Sequence, residues 1–358
     1  MTNYLLAGGG TAGHVNPLLA LADLIRAEEP DAQIVVLGTR EGLEARLVPE
    51  RGFELAFIER LPFPRRPNLA ALRFPARFRR AVSEVSALIR DRGIDVVVGF
   101  GGYAAAPAYR AARAEGVATV IHEANAKPGL ANKLGARSTD FVAVTFPGTP
   151  IRGARVTGMP LRPEITGLDR AALRRSAREH FGLDPERTTL LVTGGSLGAR
   201  AINQGISRAA AELVASGVQV LHVWGGLTDV EDPQMPGYHV ITYCDRMDLA
   251  FAACDLAVSR AGSTTVSELA GLGVPAILVP YGHGNGEQRF NASSVVAAGG
   301  AILVEDAELT PEWVRGTLIE LLRDDARLAE MSQRARGAGS LDGTERLLDL
   351  VREALTAN

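Results

Sequence analysis

Two stretches of this chain, 186 positions apart from Gly8 to Gly194, are built alike. The apolar run Tyr4-Leu5-Leu6-Ala7 empties into Gly8-Gly9-Gly10-Thr11-Ala12-Gly13-His14 and then into a helical pattern. Thr189-Leu190-Leu191-Val192-Thr193 empties in the same way into Gly194-Gly195-Ser196-Leu197-Gly198-Ala199-Arg200. A strand that feeds a glycine-rich turn and a helix opens a βαβ unit. Strand candidates continue in each half, the first half ending at Phe141–Val144 and the second at Ala301–Val304. Helical patterns such as Leu18–Glu29, Ile202–Ala215 and Pro311–Arg323 lie between them. The strand candidates are unbroken apolar runs, as expected when helices cover both faces of a parallel sheet.

The expected fold class is therefore α/β: two Rossmann-like domains with parallel sheets and a cleft between them. A length of 358 residues suits two domains. The Gly- and Pro-rich stretch from Gly158 to Gly167 reads as the linker. The division expected is 1–162 and 163–358, with the last helix free to pack back on the first domain. In open α/β sheets ligands sit beyond the carboxyl ends of the strands, where both glycine loops fall.

Composition narrows the function classes. A net charge of −3 argues against a general nucleic-acid binder. Cys244 and Cys254 are the only cysteines, too few for a disulfide scaffold and without zinc spacing. No secretory signal is expected at the N-terminus, and no apolar stretch reaches the ~20 residues that span a bilayer. A cytoplasmic chain, or one lying on a membrane surface, is expected.

Glycine loops of this kind let backbone N–H groups approach a phosphate at a helix start. Gly8–Gly13 fits G-x-G-x-x-G, but the second strand ends in Leu37-Gly38-Thr39-Arg40 without the acidic residue of a dinucleotide site. Arg40 keeps an NADP reading open. In Ser263-Thr264-Thr265-Val266-Ser267-Glu268, Thr265 and Glu268 have capping-box spacing. The same segment can equally face a nucleotide, with Glu268 accepting from ribose hydroxyls. Ile121-His122-Glu123-Ala124-Asn125 and Val98–Tyr103 end strands with polar or glycine residues in the same manner.

Seven motifs taken together carry a resemblance. Gly9–His14, Gly99–Tyr103, His122–Asn125, Gly158-Met159-Pro160-Leu161-Arg162, Gly194–Arg200, Ser263–Glu268 and His283–Asn291 occur in order over nearly the whole chain. The set resembles the MurG family of peptidoglycan N-acetylglucosaminyltransferases. The resemblance implies GT-B architecture, two Rossmann-like domains facing each other across a cleft, with UDP-N-acetylglucosamine as donor. It places Ser196 and its loop on the diphosphate, Cys244 on the uracil through its backbone, Glu268 on the ribose and Gln288 on the sugar. Ser263, Thr264 and Thr265 line the phosphates, with Val266 and Ser267 continuing that helix start. Arg162 lies against the diphosphate, and Thr11, Ala12, Gly13 and Asn125 complete the donor site. The implied acceptor is undecaprenyl-pyrophosphoryl-N-acetylmuramyl-pentapeptide, met by Gly10, His14, Tyr103 and His122. The chain departs from the family pattern at Ala12, Ala124, Met159, Leu197 and Glu287.

The chemistry implied is an inverting displacement at the anomeric carbon, which needs a base for the acceptor hydroxyl. His14 is the first candidate and Glu123 the second. No Asp-x-Asp pair stands in a donor loop, so neither metal nor cofactor is expected. An epimerase acting on the same nucleotide sugar and a non-catalytic sugar-nucleotide binder are the alternatives. From Arg60 to Ser83 seven arginines and no acid alternate with Leu61, Phe63, Leu69, Leu72, Phe74 and Phe78. That pattern predicts contact between Arg60–Arg80 and an anionic membrane, and with it a peripheral place on the cytoplasmic face of the plasma membrane. Pro75 argues against one continuous helix there. A cell-wall enzyme complex is a further partner the family implies; nucleic acid is not.

Overall fold

A computed structural model of the chain describes residues 1–64, 69–226, 231–282 and 286–357. It resolves into two compact units. Unit 1 comprises Met1–Arg162 with Asp342–Asn358, and unit 2 comprises Pro163–Leu341.

The sheet of unit 1 is wholly parallel. Its strands are β1 (Asn3–Ala7), β2 (Gln33–Gly38), β3 (Glu54–Phe57), β4 (Val96–Gly99), β5 (Ala118–Glu123), β6 (Val142–Val144) and β7 (Ala154–Val156). Their order is β3-β2-β1-β4-β5-β6-β7. The chain leaves β1 toward β2 on one side, and β4 lies on the other. The carboxyl ends of β1 and β4 therefore form the switch point, where the first glycine loop and Gly99–Tyr103 meet.

One face of this sheet is covered by helix α1 (Ala12–Glu28), whose Val15, Leu18, Leu21 and Ile25 are fully buried against Leu6, Val96 and Val98. Each such side chain contributes about 1.5–3 kcal/mol by leaving water. Helix α2 (Glu44–Glu50) follows β2. The opposite face takes α3 (Leu69–Asp91) and α4 (Gly102–Glu115), with Val85, Ile89, Ala104 and Ala108 in its core. Contrary to expectation, α3 runs through Pro75 without a break. The proline forfeits a single rung of a 23-residue ladder whose later turns are fixed in the core.

The C-terminal helix Gly343–Thr356 packs beside α1, burying Leu347, Leu348 and Val351 in the same core. A Cβ at Gly343 would lie 2.4 Å from the Met159 carbonyl, so only glycine lets the chain come this close. Thr344 Oγ1 then accepts from the Leu161 amide (3.1 Å), and Arg352 pairs with Glu28 and Glu29. Unit 2 thus stops at Leu341, short of the chain's end.

The sheet of unit 2 holds β8 (Thr189–Thr193), β9 (Gln219–Val223), β10 (Tyr238–Ile241), β11 (Leu256–Ser259), β12 (Ala276–Leu278) and β13 (Ala301–Leu303), in the order β10-β9-β8-β11-β12-β13. Its switch point lies between β8 and β11, from which the second glycine loop and Arg260–Gly262 emerge. Strand β7 is a short, fully exposed addition that apolar patterning does not reveal.

Candidate active site

In unit 1 the site grows from the start of α1. Thr11 is the N-cap residue but makes no side-chain cap, and the first backbone bonds run from His14 and Val15 to the Thr11 carbonyl. The amides of Ala12 and Gly13 precede that first rung and stay available to an anion. His14, half-buried on the same turn, brings Nδ1 to 3.2 Å from the Gly9 carbonyl and 3.3 Å from Thr11 Oγ1. A carbonyl oxygen only accepts, so Nδ1 carries the proton and Nε2 keeps the lone pair. Burial lowers the pKa of His14 below the usual imidazole range, against the opposing pull of Glu123, the Gly9 carbonyl and Glu44. The ring is neutral at pH 7, the state a base must start from. Gly101, at φ +91°, keeps the space beside it clear: a Cβ there would stand 3.2 Å from His14 Nε2 and Cδ2.

Glu123 ends β5 and is 3% exposed. Its Oε1 accepts from the Asn125 amide, and its Oε2 from the Gly129 amide and Asn132 Nδ2, each at 2.9 Å. Asn132 is held in turn by the Tyr109 hydroxyl (2.7 Å). The carboxylate therefore binds its own loop together, and Asn125 is positioned through its backbone. His122 is a correction to the sequence reading: it is wholly buried, its Nε2 donates toward the Gly158 carbonyl (3.3 Å), and Phe100 packs on its ring. Burial pulls it down to about 4. It is a neutral core residue and cannot touch an acceptor. Tyr103, at the start of α4, lies under the Arg60 guanidinium, 4.7 Å from its ring centroid.

Gly10 also departs from expectation. Its N–H is taken by the Glu44 carboxylate at 2.8 Å, so it is not offered to an acceptor phosphate. Glu44, fully buried, is the contact to this loop that sequence reasoning missed. Its other oxygen accepts from Thr39 N (2.8 Å) and Thr39 Oγ1 (3.0 Å).

In unit 2 the loop after β8 closes on itself, with the Gly198 amide donating to the Gly195 carbonyl (2.9 Å) and the Gly226 amide to the Ser196 carbonyl (3.2 Å). A Cβ at Gly194 would sit 2.2 Å from the Ala199 amide nitrogen, which is why glycine stands there. Ser196 is exposed on this loop, and the following helix Arg200–Ser207 begins without a side-chain cap.

The helix Ser263–Leu272 also begins uncapped, at Gly262. Thr265 accordingly lies inside the first turn, and the capping-box reading fails because Gly262 takes the cap position three residues earlier. The amides of Ser263, Thr264 and Thr265 precede the first rung, Val266 N to Gly262 O (2.9 Å). Thr264 Oγ1 is buried with no hydrogen-bond partner among the described residues. Val266 and Ser267 face inward, and the Ser267 hydroxyl donates back to the Ser263 carbonyl. Neither side chain is presented to a ligand. Glu268 is buried one turn further along.

Gln288 Oε1 accepts from the Tyr281 amide (2.9 Å) and so shapes the loop that follows β12. His283, Gly284 and Asn285 of that motif lie outside the described residues. Cys244 follows β10 and is buried, and burial pushes its thiol up to about 11, so it is un-ionised at pH 7. Arg162 is the last residue before unit 2. No cluster of His, Cys, Asp and Glu able to hold a metal occurs among the described residues.

Two parallel Rossmann-like units, each with a glycine loop and uncapped helix starts at its switch point, are the architecture of GT-B glycosyltransferases. The chain belongs to glycosyltransferase family 28: the family's N-terminal domain matches residues 4–144 and its C-terminal domain residues 189–347. The UDP-N-acetylglucosamine--N-acetylmuramyl-(pentapeptide) pyrophosphoryl-undecaprenol N-acetylglucosamine transferase of Leifsonia xyli subsp. xyli is 61% identical over 357 residues, spanning 100% of both chains. The protein of the same name from Streptomyces avermitilis is 51% identical over 359 residues, 99% of each chain. The crystal structure of Acinetobacter baumannii MurG superposes with a TM-score of 0.79 at 27% identity, covering 99% of this chain and 100% of that one.

Proposed function

We infer that this chain is an inverting hexosyltransferase of peptidoglycan synthesis. It moves N-acetylglucosamine from UDP-N-acetylglucosamine to the muramyl sugar of undecaprenyl-pyrophosphoryl-N-acetylmuramyl-pentapeptide, turning lipid I into lipid II. Full-length kinship with transferases of that name carries this reading.

The site assignments are those the family resemblance implies. Unit 2 is proposed as the donor domain. The Ser196 loop and the free amides of Ser263–Thr265 suit the UDP diphosphate, and the buried Thr264 hydroxyl suits a phosphate oxygen. Glu268 is assigned to the ribose, the Cys244 backbone to the uracil, Gln288 to the sugar, and Arg162 to the diphosphate. Unit 1 is proposed as the acceptor domain, with Thr11, Ala12, Gly13 and Asn125 assigned to the donor and Tyr103 to the acceptor. As the muramyl hydroxyl oxygen bonds to the anomeric carbon, its proton passes to His14 Nε2. The anomeric C–O bond breaks with its electron pair going to UDP. Helix starts preorganised for negative charge stabilise that leaving group. Glu123 is assigned the support of the Asn125 loop.

Membrane contact is proposed for α3 and the segment before it. Phe63, Leu69 and Leu72 are exposed there, beside Arg73 and Arg79. Arg77 and Arg80 are partly neutralised by Glu59 and Glu84, and Arg65 and Arg66 lie outside the described residues. No described helix is long and apolar enough to cross a membrane. A peripheral place at the cytoplasmic face, with other cell-wall enzymes as partners, is proposed on the family resemblance and on this basic, apolar surface.

Incubation with labelled UDP-N-acetylglucosamine, with and without a short-chain lipid-linked muramyl-peptide, tests the function. Label in the lipid only when acceptor is present supports it. Turnover of the nucleotide sugar without acceptor would point to the epimerase instead.

A further inference from the structure

The Gly9–Gly10 peptide group is bonded at both ends. Its N–H donates to Glu44 Oε2 at 2.8 Å, and its C=O accepts from His14 Nδ1 at 3.2 Å. A fully buried carboxylate, one peptide unit and the imidazole thus form a single hydrogen-bonded chain. We propose that Glu44 is a positioning residue for the transfer reaction, fixing the tautomer of His14 and strengthening it as a base through the Gly9–Gly10 peptide.

Three observations make this arrangement more than a loop anchor. First, the carboxylate is cradled by glycines. A Cβ at Gly9, Gly38 or Gly42 would come within 2.2, 2.4 or 2.0 Å of a Glu44 atom, so three positions give up their side chains to admit it. Second, Thr39 holds Oε1 with both its amide and its hydroxyl, which turns Oε2 toward Gly10 and no other partner among the described residues. Third, a peptide whose N–H is bonded to an anion is polarised, and its carbonyl becomes a stronger acceptor. The Nδ1–H bond is strengthened in turn, and Nε2 becomes more basic. The role is that of a carboxylate orienting a catalytic histidine, with a peptide inserted between the two.

The proton balance is simple. The muramyl hydroxyl gives its proton to His14 Nε2, Nδ1 keeps its own, and nothing moves along the peptide. The imidazolium formed is stabilised by the Gly9 carbonyl and by the charge of Glu44 behind it. Glu44 from α2 and Glu123 and His122 from β5 are the titratable groups acting on His14. Of these, Glu44 alone is joined to it by the peptide.

This inference rests on the assignment of His14 as base, and the experiment separates the two. In the full-length protein labelled with 15N-histidine, long-range 1H–15N spectra report the tautomer and titration of His14, identified by its loss in His14→Gln. The wild type is expected in the Nδ1–H form; an Nε2–H form overturns the proposal. In Glu44→Gln the His14 titration is expected to move to lower pH, because a charge that favours imidazolium is removed. The acid limb of kcat/KM for the lipid acceptor should move with it, and kcat should fall about tenfold. Donor affinity should stay as it was. A folded Glu44→Gln protein in which His14 titrates as in wild type overturns the relay.

Should that variant not fold, Thr39→Val removes one donor from Glu44, concentrates its charge, and is expected to move the titration of His14 upward. No shift, or a downward one, would contradict the proposal. Should His14→Gln retain full transfer, the base assignment falls, while the spectra still answer whether Glu44 governs the ring.

Discussion

Asn132 donates from Nδ2 to Glu123 Oε2 at 2.9 Å, while its own Oδ1 accepts from Tyr109. A carboxylate tied in this way serves its loop. Glu123→Gln would turn an amide toward donors that need an acceptor, and one buried N–H would be left unsatisfied. A stability loss of about 1–3 kcal/mol is expected, read from denaturant unfolding. The acid limb of the pH–rate profile should survive in this variant, since we assign it to His14. Disappearance of that limb would return Glu123 to the role of base.

Gly101→Ala tests the space beside the base. The backbone there sits at φ +91°, which costs an L-residue about 1–2 kcal/mol, and the new methyl would press on His14 Nε2. Transfer should fall by at least about tenfold, while donor affinity, measured by calorimetry, should hold. A weakened donor affinity with an intact rate would contradict the placement.

The buried histidines set an acid limit on stability. Burial draws His122 down to about 4 and His222 to about 3, so both are neutral in the folded chain. In the unfolded chain they take up protons near the ordinary value of ~6.5. The unfolded state therefore binds more protons below that pH, and the native state loses stability as the solution is acidified from about 6.5 toward 4 and 3. At pH 5 the loss is about 2 kcal/mol per histidine. Urea midpoints at pH 7.5 and pH 5 would reveal it; equal midpoints would show that these rings are not held neutral.

The membrane face makes a separate prediction. Leu69→Ser with Leu72→Ser, and separately Arg73→Ser with Arg79→Ser, should each weaken binding to anionic vesicles. The arginine pair should contribute about 1 kcal/mol per charge, fading with added salt. Arg77→Ser should matter less, because Glu59 already offsets that charge. Vesicle binding that ignores all of these changes would remove α3 from the membrane.

Much of this was open to inspection in the sequence, and the exceptions have physical causes. Both glycine loops were legible because each follows a buried apolar strand and precedes a helix, a purely local pattern. The contact of Glu44 was not, because the amide it binds lies 34 residues earlier and only strand pairing joins them. His122 and Glu123 are adjacent on a strand buried on both faces, where alternation cannot tell a core imidazole from a site residue. At Thr265 the spacing was right for a cap, yet Gly262 starts the helix one turn sooner. The C-terminal helix was expected to be free to pack back on the first domain, but its seat beside α1 depends on the close approach at Gly343.

The central claim is that His14 Nε2 accepts the muramyl proton. Its most direct test is single-turnover transfer from labelled UDP-N-acetylglucosamine to a short-chain lipid acceptor, comparing wild type with His14→Gln at saturating donor. The account expects the variant to bind donor as before and to transfer about 10²–10⁴-fold more slowly, with the acid limb gone. Transfer at the wild-type rate, with the acid limb intact, would contradict it.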